Sequence, residues 1–354
     1  METERPLRVG IVGCGHVAEV WHIPALRKTK DVKLAAVCDI NESLAKKTAE
    51  RIRTNRYYAD LSEMLTEEKL DILHICTPPS THAALSIKAM EAGLHVLVEK
   101  PMALSTKDTD EMIKASQSNH VKLCVVHNAL FMPVILKAKS MISNGELGEV
   151  TGISIKDSWP KDNPYLRNKD HWYHKLPCGV FGEMLPHPIY LAGAFIGLAE
   201  PEAVYARKFS SFEWVAADEL RVILNGKKGI GTLTESCNWS KDSMLLDIFG
   251  TRMNLYVNLN GGILVKYNSI GGESRAGHAL DSVSQGYQLL SHTAYAAANV
   301  LLGRQRNGHF ILIEKFVEAV KNDAEPPVTG EEGKEVVRIL EKLDAMMRNS
   351  LGKS

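Results

Sequence analysis

The chain has 354 residues, which is room for about two domains, and its 45% hydrophobic and 24% charged residues describe an ordinary globular protein. Forty-two basic residues balance forty-two acidic ones, so no net field favours nucleic acid or an anionic membrane, and neither is expected as a partner. The stretch Met1–Pro6 lacks the apolar core of a signal peptide, no run of about 20 apolar residues could span a bilayer, and a cytoplasmic location is expected.

In chain order, the first 125 or so residues alternate short apolar runs with segments of helical spacing. The apolar runs are 7–12, 34–38, 72–76, 94–98 and 123–126; the helical segments between them include 44–52, 82–92 and 108–116. Near-continuous apolar strands separated by helices predict a doubly wound parallel sheet covered on both faces. After about residue 130 the pattern changes. A helix is predicted over 133–143, then longer strands at 150–158, 203–209, 219–224, 229–237, 244–249, 254–257 and 262–267, with one early helix around 182–195. Consecutive strands predict a separate α+β domain with an antiparallel or mixed sheet. Segments 310–321 and 330–347 read as helices. The expected domains are 1–128 and 129–354. The six cysteines form no C-x-x-C pair and read as inert buried thiols.

The first strand runs into Gly13-Cys14-Gly15-His16-Val17-Ala18, where Gly13, Gly15 and Ala18 fill a G-x-G-x-x-G/A pattern. The first glycine permits a tight turn and the second a close approach of backbone to a pyrophosphate. The small third residue permits helix–strand packing, and the helix start offers amide donors. Asp39 ends the next strand. A carboxylate there accepts hydrogen bonds from a ribose diol and repels a 2′-phosphate, which favours NAD over NADP; alternatively Asp39 caps the helix starting near Glu42. Thr77-Pro78-Pro79 forms a stiff strand exit that either walls a nucleotide or only leads into the helix holding His82. Lys100, in Glu99-Lys100-Pro101, stands at the carboxyl end of a buried strand, the edge where open parallel sheets collect ligands.

With these segments the chain resembles the Gfo/Idh/MocA family of NAD(P)-dependent oxidoreductases. Further carriers are His22-Ile23-Pro24-Ala25-Leu26, Asn144-Gly145-Glu146-Leu147-Gly148-Glu149 and Glu325-Pro326-Pro327-Val328-Thr329-Gly330. The resemblance implies a Rossmann domain followed by a domain with a large open, mainly antiparallel sheet. It implies hydride transfer between a nicotinamide and a secondary alcohol or ketone carbon of a sugar, cyclitol or nucleotide-sugar. The cofactor-binding set is then Gly13, Gly15, His16, Val17, Asp39, Thr77, Pro78, His82, Glu99, Lys100 and Asn128. The lysine of E-K-P is catalytic in such members, beside a carboxylate and a histidine four residues apart. Here those positions are Glu183 and His187, at the i, i+4 spacing of one helix face.

Three departures from the family pattern stand out. Glutamate replaces the usual aspartate, and Pro186 and Pro188 flank the histidine, so the helix is bent or begins there. The segment His127-Asn128-Ala129-Leu130-Phe131 also lacks the arginine common in the family. Histidine, with an ordinary pKa near about 6.5, suits the role of base for the hydroxyl proton; the alternative is a buried histidine bonded to backbone. Lys100 would hold the reacting oxygen, and Glu183 would orient His187 or bind a substrate hydroxyl. Lys156, Trp159, His171 and Trp172 are candidate substrate contacts, with a surface loop as the plainer reading. No metal is expected. A redox-neutral enzyme recycling bound NAD, and a non-catalytic cofactor sensor, are the competing classes. A homodimer or homotetramer formed through the open sheet face is expected from the resemblance.

Overall fold

The computed structural model describes residues 5–267, 274–302 and 306–352, so the first four residues of the N-terminal stretch lie outside the described residues. The chain divides into two compact units: Met1–Asn128 with Gly308–Arg338, and Ala129–Asn307 with Ile339–Ser354.

In the first unit, β1 (Leu7–Val12), β2 (Val32–Cys38), β3 (Tyr57–Tyr58), β4 (Ile72–Ile75), β5 (His95–Val98) and β6 (Leu123–Val125) form one parallel sheet ordered 3-2-1-4-5-6. The order reverses beside β1, so the carboxyl ends of β1 and β4 flank a crevice. All four residues of β4 are buried, as expected for a strand covered on both faces. The short β3 and the helix Leu61–Glu67 were not anticipated. Two residues carry no periodicity, and the seven-residue helix is announced mainly by Asp60, whose carboxylate accepts from the amides of Ser62 (2.7 Å) and Glu63 (3.2 Å).

The second unit holds β7 (Val150–Pro160), β8 (Ala199–Arg207), β9 (Glu219–Gly226), β10 (Ile230–Trp239), β11 (Ser243–Gly250), β12 (Asn254–Asn258) and β13 (Ile263–Tyr267). They form a sheet ordered 13-12-11-7-10-9-8, antiparallel throughout except for the central β7–β10 pair. The helix Pro186–Ile196 packs on one face, over β7, β8 and β10. The other face leaves Tyr205, Ile223, Ile230 and Phe249 exposed. The expected helix 182–195 is two pieces, Phe181–Met184 and Pro186–Ile196. Proline lacks the amide that would continue the ladder, yet Leu185 keeps helical angles (φ −55°, ψ −32°), so the path is interrupted without turning away.

A further helix, Arg275–Leu301, was missed. Its sequence, rich in Ser, Ala, Gly and Tyr, contains no Asp, Glu, Lys or Arg from Ser282 to Leu301, so neither charge spacing nor a conventional buried stripe announces it. It lies against β13. Gln288 accepts from the Lys266 amide (2.9 Å), and His292 Nδ1 bonds the Leu264 carbonyl (2.5 Å).

Candidate functional site

In the first unit, the end of β1 makes the turn that the glycines require. Gly13 has φ +88°, and a Cβ there would lie 2.7 Å from the Cys76 carbonyl carbon and oxygen. Only glycine satisfies both the left-handed angle and this contact. A Cβ on Gly15 would meet nothing within 4 Å, so that backbone is open to a ligand. His16 is exposed, Val17 half-buried and Ala18 fully buried. A wide π-type turn, Ala18–His22, continues into the helix Ile23–Leu26.

Asp39 is tied to this turn. Its Oδ2 accepts from the Cys14 amide at 2.8 Å, and its Oδ1 accepts from the Asn41 amide at 2.9 Å. Asn41, not Asp39, caps the next helix, accepting from the Leu44 amide at 3.2 Å. The carboxylate therefore fixes the glycine turn while sitting at the end of β2. Burial pushes the Cys14 and Cys38 thiols beside it up to about 12, so they stay protonated at neutral pH. All six cysteines are free.

At the exits of β4 and β5, Thr77 is half-buried and Pro78 exposed. His82 is fully buried. Its Nε2 lies 2.8 Å from the Thr77 carbonyl and its Nδ1 2.9 Å from the Pro101 carbonyl, so it staples the two strand exits together. Burial lowers its pKa even against these two acceptors. Lys100 is half-buried next to a cis peptide bond to Pro101, and Asn128 is half-buried at the start of a short 3-10 turn.

Beneath Lys100 lies a buried cluster that sequence reasoning missed. Glu99 Oε2 accepts from the Lys100 amide at 3.2 Å, while Oε1 lies 2.8 Å from His22 Nε2 and 3.6 Å from His309 Nε2. His22 Nδ1 is 2.9 Å from His74 Nδ1, and Trp21 stacks on His309 with ring centres 5.1 Å apart. Burial alone would raise the Glu99 carboxyl; the bonds from His22 and His309 outweigh it and hold it well below the usual range. Burial, then His22, drives His74 well below its ordinary value. His22 thus bridges the Glu99 carboxylate through Nε2 and neutral His74 through Nδ1, and the buried His74 Nε2 is without a hydrogen-bond partner among the described residues. His22, Glu99 and His309 place their ligand-type atoms within 4.8 Å of one another, the set among the described residues with metal-binding character. His22 lay in a recognised motif, but nothing local marked His74 or the distant His309 as its neighbours. As placed, Glu99 and His82 face protein groups and shape the strand exits.

In the second unit, His187 is half-buried near the start of its helix. Its Nδ1 lies 2.5 Å from the Tyr190 hydroxyl, which accepts from the Ala129 amide at 3.1 Å. The ring is thus oriented by a buried tyrosine one turn on, a partner the sequence reading did not identify. Glu183 is half-buried on the preceding short helix. Lys156 is paired across β7 and β11 with Asp247 at 3.3 Å. Trp159, Tyr165, His171, Trp172 and Tyr173 gather into one aromatic group, with His171 4.1 Å and Trp172 4.3 Å from Tyr173 between ring centres. Burial, then His174, lowers the pKa of His171, which favours its neutral form.

Comparison with known proteins agrees with this architecture. Residues 7–127 match the NAD-binding Rossmann fold of the Gfo/Idh/MocA oxidoreductase family, and residues 139–350 its C-terminal alpha/beta domain. Myo-inositol 2-dehydrogenase of Thermotoga maritima is 25% identical over 339 residues, covering 93% of this chain and 92% of that protein. Oxidoreductase P35 of Formosa agariphila is 28% identical over 201 residues, 56% of this chain and 63% of its own length, so that match spans less than two thirds of the relative. The WlbA dehydrogenase from Bordetella pertussis, solved with NADH and UDP-GlcNAcA, superposes with a TM-score of 0.81 at 21% identity, covering 99% of this chain and 97% of that one; it shows the shared fold.

Proposed function

The chain belongs to the Gfo/Idh/MocA family of oxidoreductases, and on that premise we propose that it moves a hydride between NAD(H) and the secondary alcohol or ketone carbon of a sugar, cyclitol or nucleotide-sugar. The observation that carries the cofactor half is the glycine turn: Gly13 packed against Cys76, Gly15 open, and Asp39 holding the Cys14 amide at the end of β2. The chain's likeness to an inositol dehydrogenase along nearly its whole length supports the substrate class.

In the oxidation direction bound NAD would supply the hydride acceptor for the carbinol carbon, and His187 would take the hydroxyl proton. Tyr190 engages Nδ1 of the imidazole, and Nε2 is the nitrogen assigned to the proton transfer. Lys100 donates to the reacting oxygen and stabilises alkoxide character, while Glu99 beneath it fixes the backbone from which Lys100 projects. Glu183 binds a substrate hydroxyl or steers His187, and the aromatic group around Tyr173 offers ring faces and polar atoms to a sugar, whereas strand register puts Lys156 on the open sheet face with Ile230 and Phe249. The six free cysteines fit a reducing cytoplasm, and no described helix is long and apolar enough to cross a membrane. The exposed sheet face around Ile223 and Ile230 fits burial in a homo-oligomer.

The test supplies NAD with inositols, aldoses, sugar acids and nucleotide-sugars and follows NADH absorbance. Lys100→Ala should lose nearly all turnover on the best substrate while still binding NADH. An unchanged rate would overturn the role of Lys100. Product formed with cofactor that copurifies and shows no net reduction would replace net dehydrogenation with a redox-neutral cycle.

A further inference from the structure

The helix Arg275–Leu301 presents a second apolar surface, distinct from the sheet face. Leu280, Val283, Tyr287, Leu290, Ala294 and Ala297 follow one another at alternating steps of three and four residues, the a/d spacing of a coiled coil. All six are exposed: Leu280 by 59%, Val283 by 69%, and Tyr287 and Leu290 by 73% each, with the two alanines also open. The helix meets β13 through a different side, where Gln288 and His292 bond the backbone of Lys266 and Leu264. A seam with this spacing does not serve the chain's own core. Left in water it would be a large apolar patch of the kind that marks an interaction surface.

We propose that this seam pairs with the same seam of a second copy of the chain, as an antiparallel two-helix contact about a twofold axis. Three observations select that partner. The first is size: in antiparallel a-to-d layers centred between Gln288 and Leu289, Leu280 meets Ala297 of the other copy and Val283 meets Ala294. Tyr287 then meets Leu290 at the centre. Large faces small at both ends, and the two largest side chains share the middle, so the seam is complementary to itself. The second is charge: no Asp, Glu, Lys or Arg lies between Ser282 and Leu301. The face has no basic residues to hold anionic lipid or nucleic acid and no charge to select an oppositely charged protein; two copies juxtapose no like charges. The third is area. The helix is about 40 Å long at about 1.5 Å per residue. Burying the seam and its flanks in two copies removes on the order of 1,000 Å² from water, the size at which a protein contact becomes specific. Small flanking residues, Ser284, Gly286 and Ser291, let the backbones approach.

This contact is separate from the sheet-face association proposed above, and the experiment reads the two independently. Full-length protein is measured by sedimentation velocity as wild type, as Tyr287→Lys/Leu290→Lys, and as Ile223→Lys/Ile230→Lys on the sheet face. All four positions are exposed, and circular dichroism checks that each variant is folded. The helix variant should halve the mass of the wild-type assembly whatever the sheet-face variant does. For orientation, Leu280→Cys/Ala297→Cys should give a covalent dimer under mild oxidation above the wild-type background. Neither single cysteine variant should do so, because like positions lie about 25 Å apart in the antiparallel pair. A wild-type mass retained by the helix variant overturns the proposal, as does a monomeric wild type that instead binds phosphatidylcholine vesicles. Crosslinking by the single variants overturns the antiparallel arrangement.

Discussion

Replacing Glu235 with methionine should stabilise the second unit, and increasingly so as pH rises. Glu235 is fully buried in β10, opposite Asp157 of β7, which is itself 4% exposed. Both Glu235 carboxyl oxygens lack a hydrogen-bond partner. Burial, and after it the Asp157 charge, raises the Glu235 pKa well above the ordinary value. Two effects follow. A buried polar group without a partner costs about 1–3 kcal/mol, and methionine, of similar volume, removes it. The folded chain also holds the Glu235 proton more tightly than the unfolded chain does. Stability is therefore unaffected while both states are protonated, then falls as pH rises above about 4.3, by up to about 1.4 kcal/mol per pH unit, until Glu235 ionises in the folded state. Thermal melts of wild type, Glu235→Met and Glu235→Gln from pH 5 to pH 8 read both. The methionine variant should melt higher at every pH, with a gap that widens toward pH 8. The glutamine variant, which keeps a buried amide, should share the widening but start lower. A gap that stays constant with pH, or a methionine variant less stable than wild type at pH 8, would refute the reasoning.

The glycine turn gives a paired prediction. Gly13→Ala forces a Cβ against the Cys76 backbone at positive φ and should lower both melting temperature and NADH affinity, whereas Gly15→Ala should leave melting unchanged and weaken NADH binding alone, as read by calorimetry. Tyr190→Phe deletes the hydroxyl between His187 and the Ala129 amide; stability should fall by about 1–3 kcal/mol in urea titration, and the pH profile of turnover should move, because the imidazole loses its Nδ1 partner. Glu99→Gln removes the negative charge held by His22 and His309. Because the folded Glu99 pKa is depressed, its stabilisation is present above the ordinary carboxylate pKa and lost as pH falls through the folded value, so the variant should be less stable than wild type at neutral pH and approach it in acid. Melting curves across that range check it.

Much of the fold was legible because its signals are local. The run from Leu7 to Val12 followed by Gly13-Cys14-Gly15 states a strand, a turn and a helix within a dozen residues, and period-two burial in β9 shows a strand with one covered face. Asp39 was legible as the acid at the end of β2, and the prolines beside His187 indicated a helix that is either bent or begins there; a helix begins at Pro186. The helix Arg275–Leu301 carries helical spacing at Leu280, Val283, Tyr287 and Leu290 but went unread, because no charge spacing reinforces it from Ser282 to Leu301.

What the sequence determined by itself is the order of most elements and the chemistry they offer: glycine turn, acid and lysine at strand ends, and a histidine on a later helix. Tertiary structure alone decided what surrounds them. His22, His74, Glu99 and His309 come from four separate segments and meet only because β1, β4 and β5 stack side by side and the helix Gly308–Lys321 packs beside them. Tyr190 completes its bond to Ala129 across many residues of chain in the same way. Periodicity and capping act over a few residues, whereas the partner of a buried polar atom is set by packing, where leaving that atom unpaired costs more than any local preference provides.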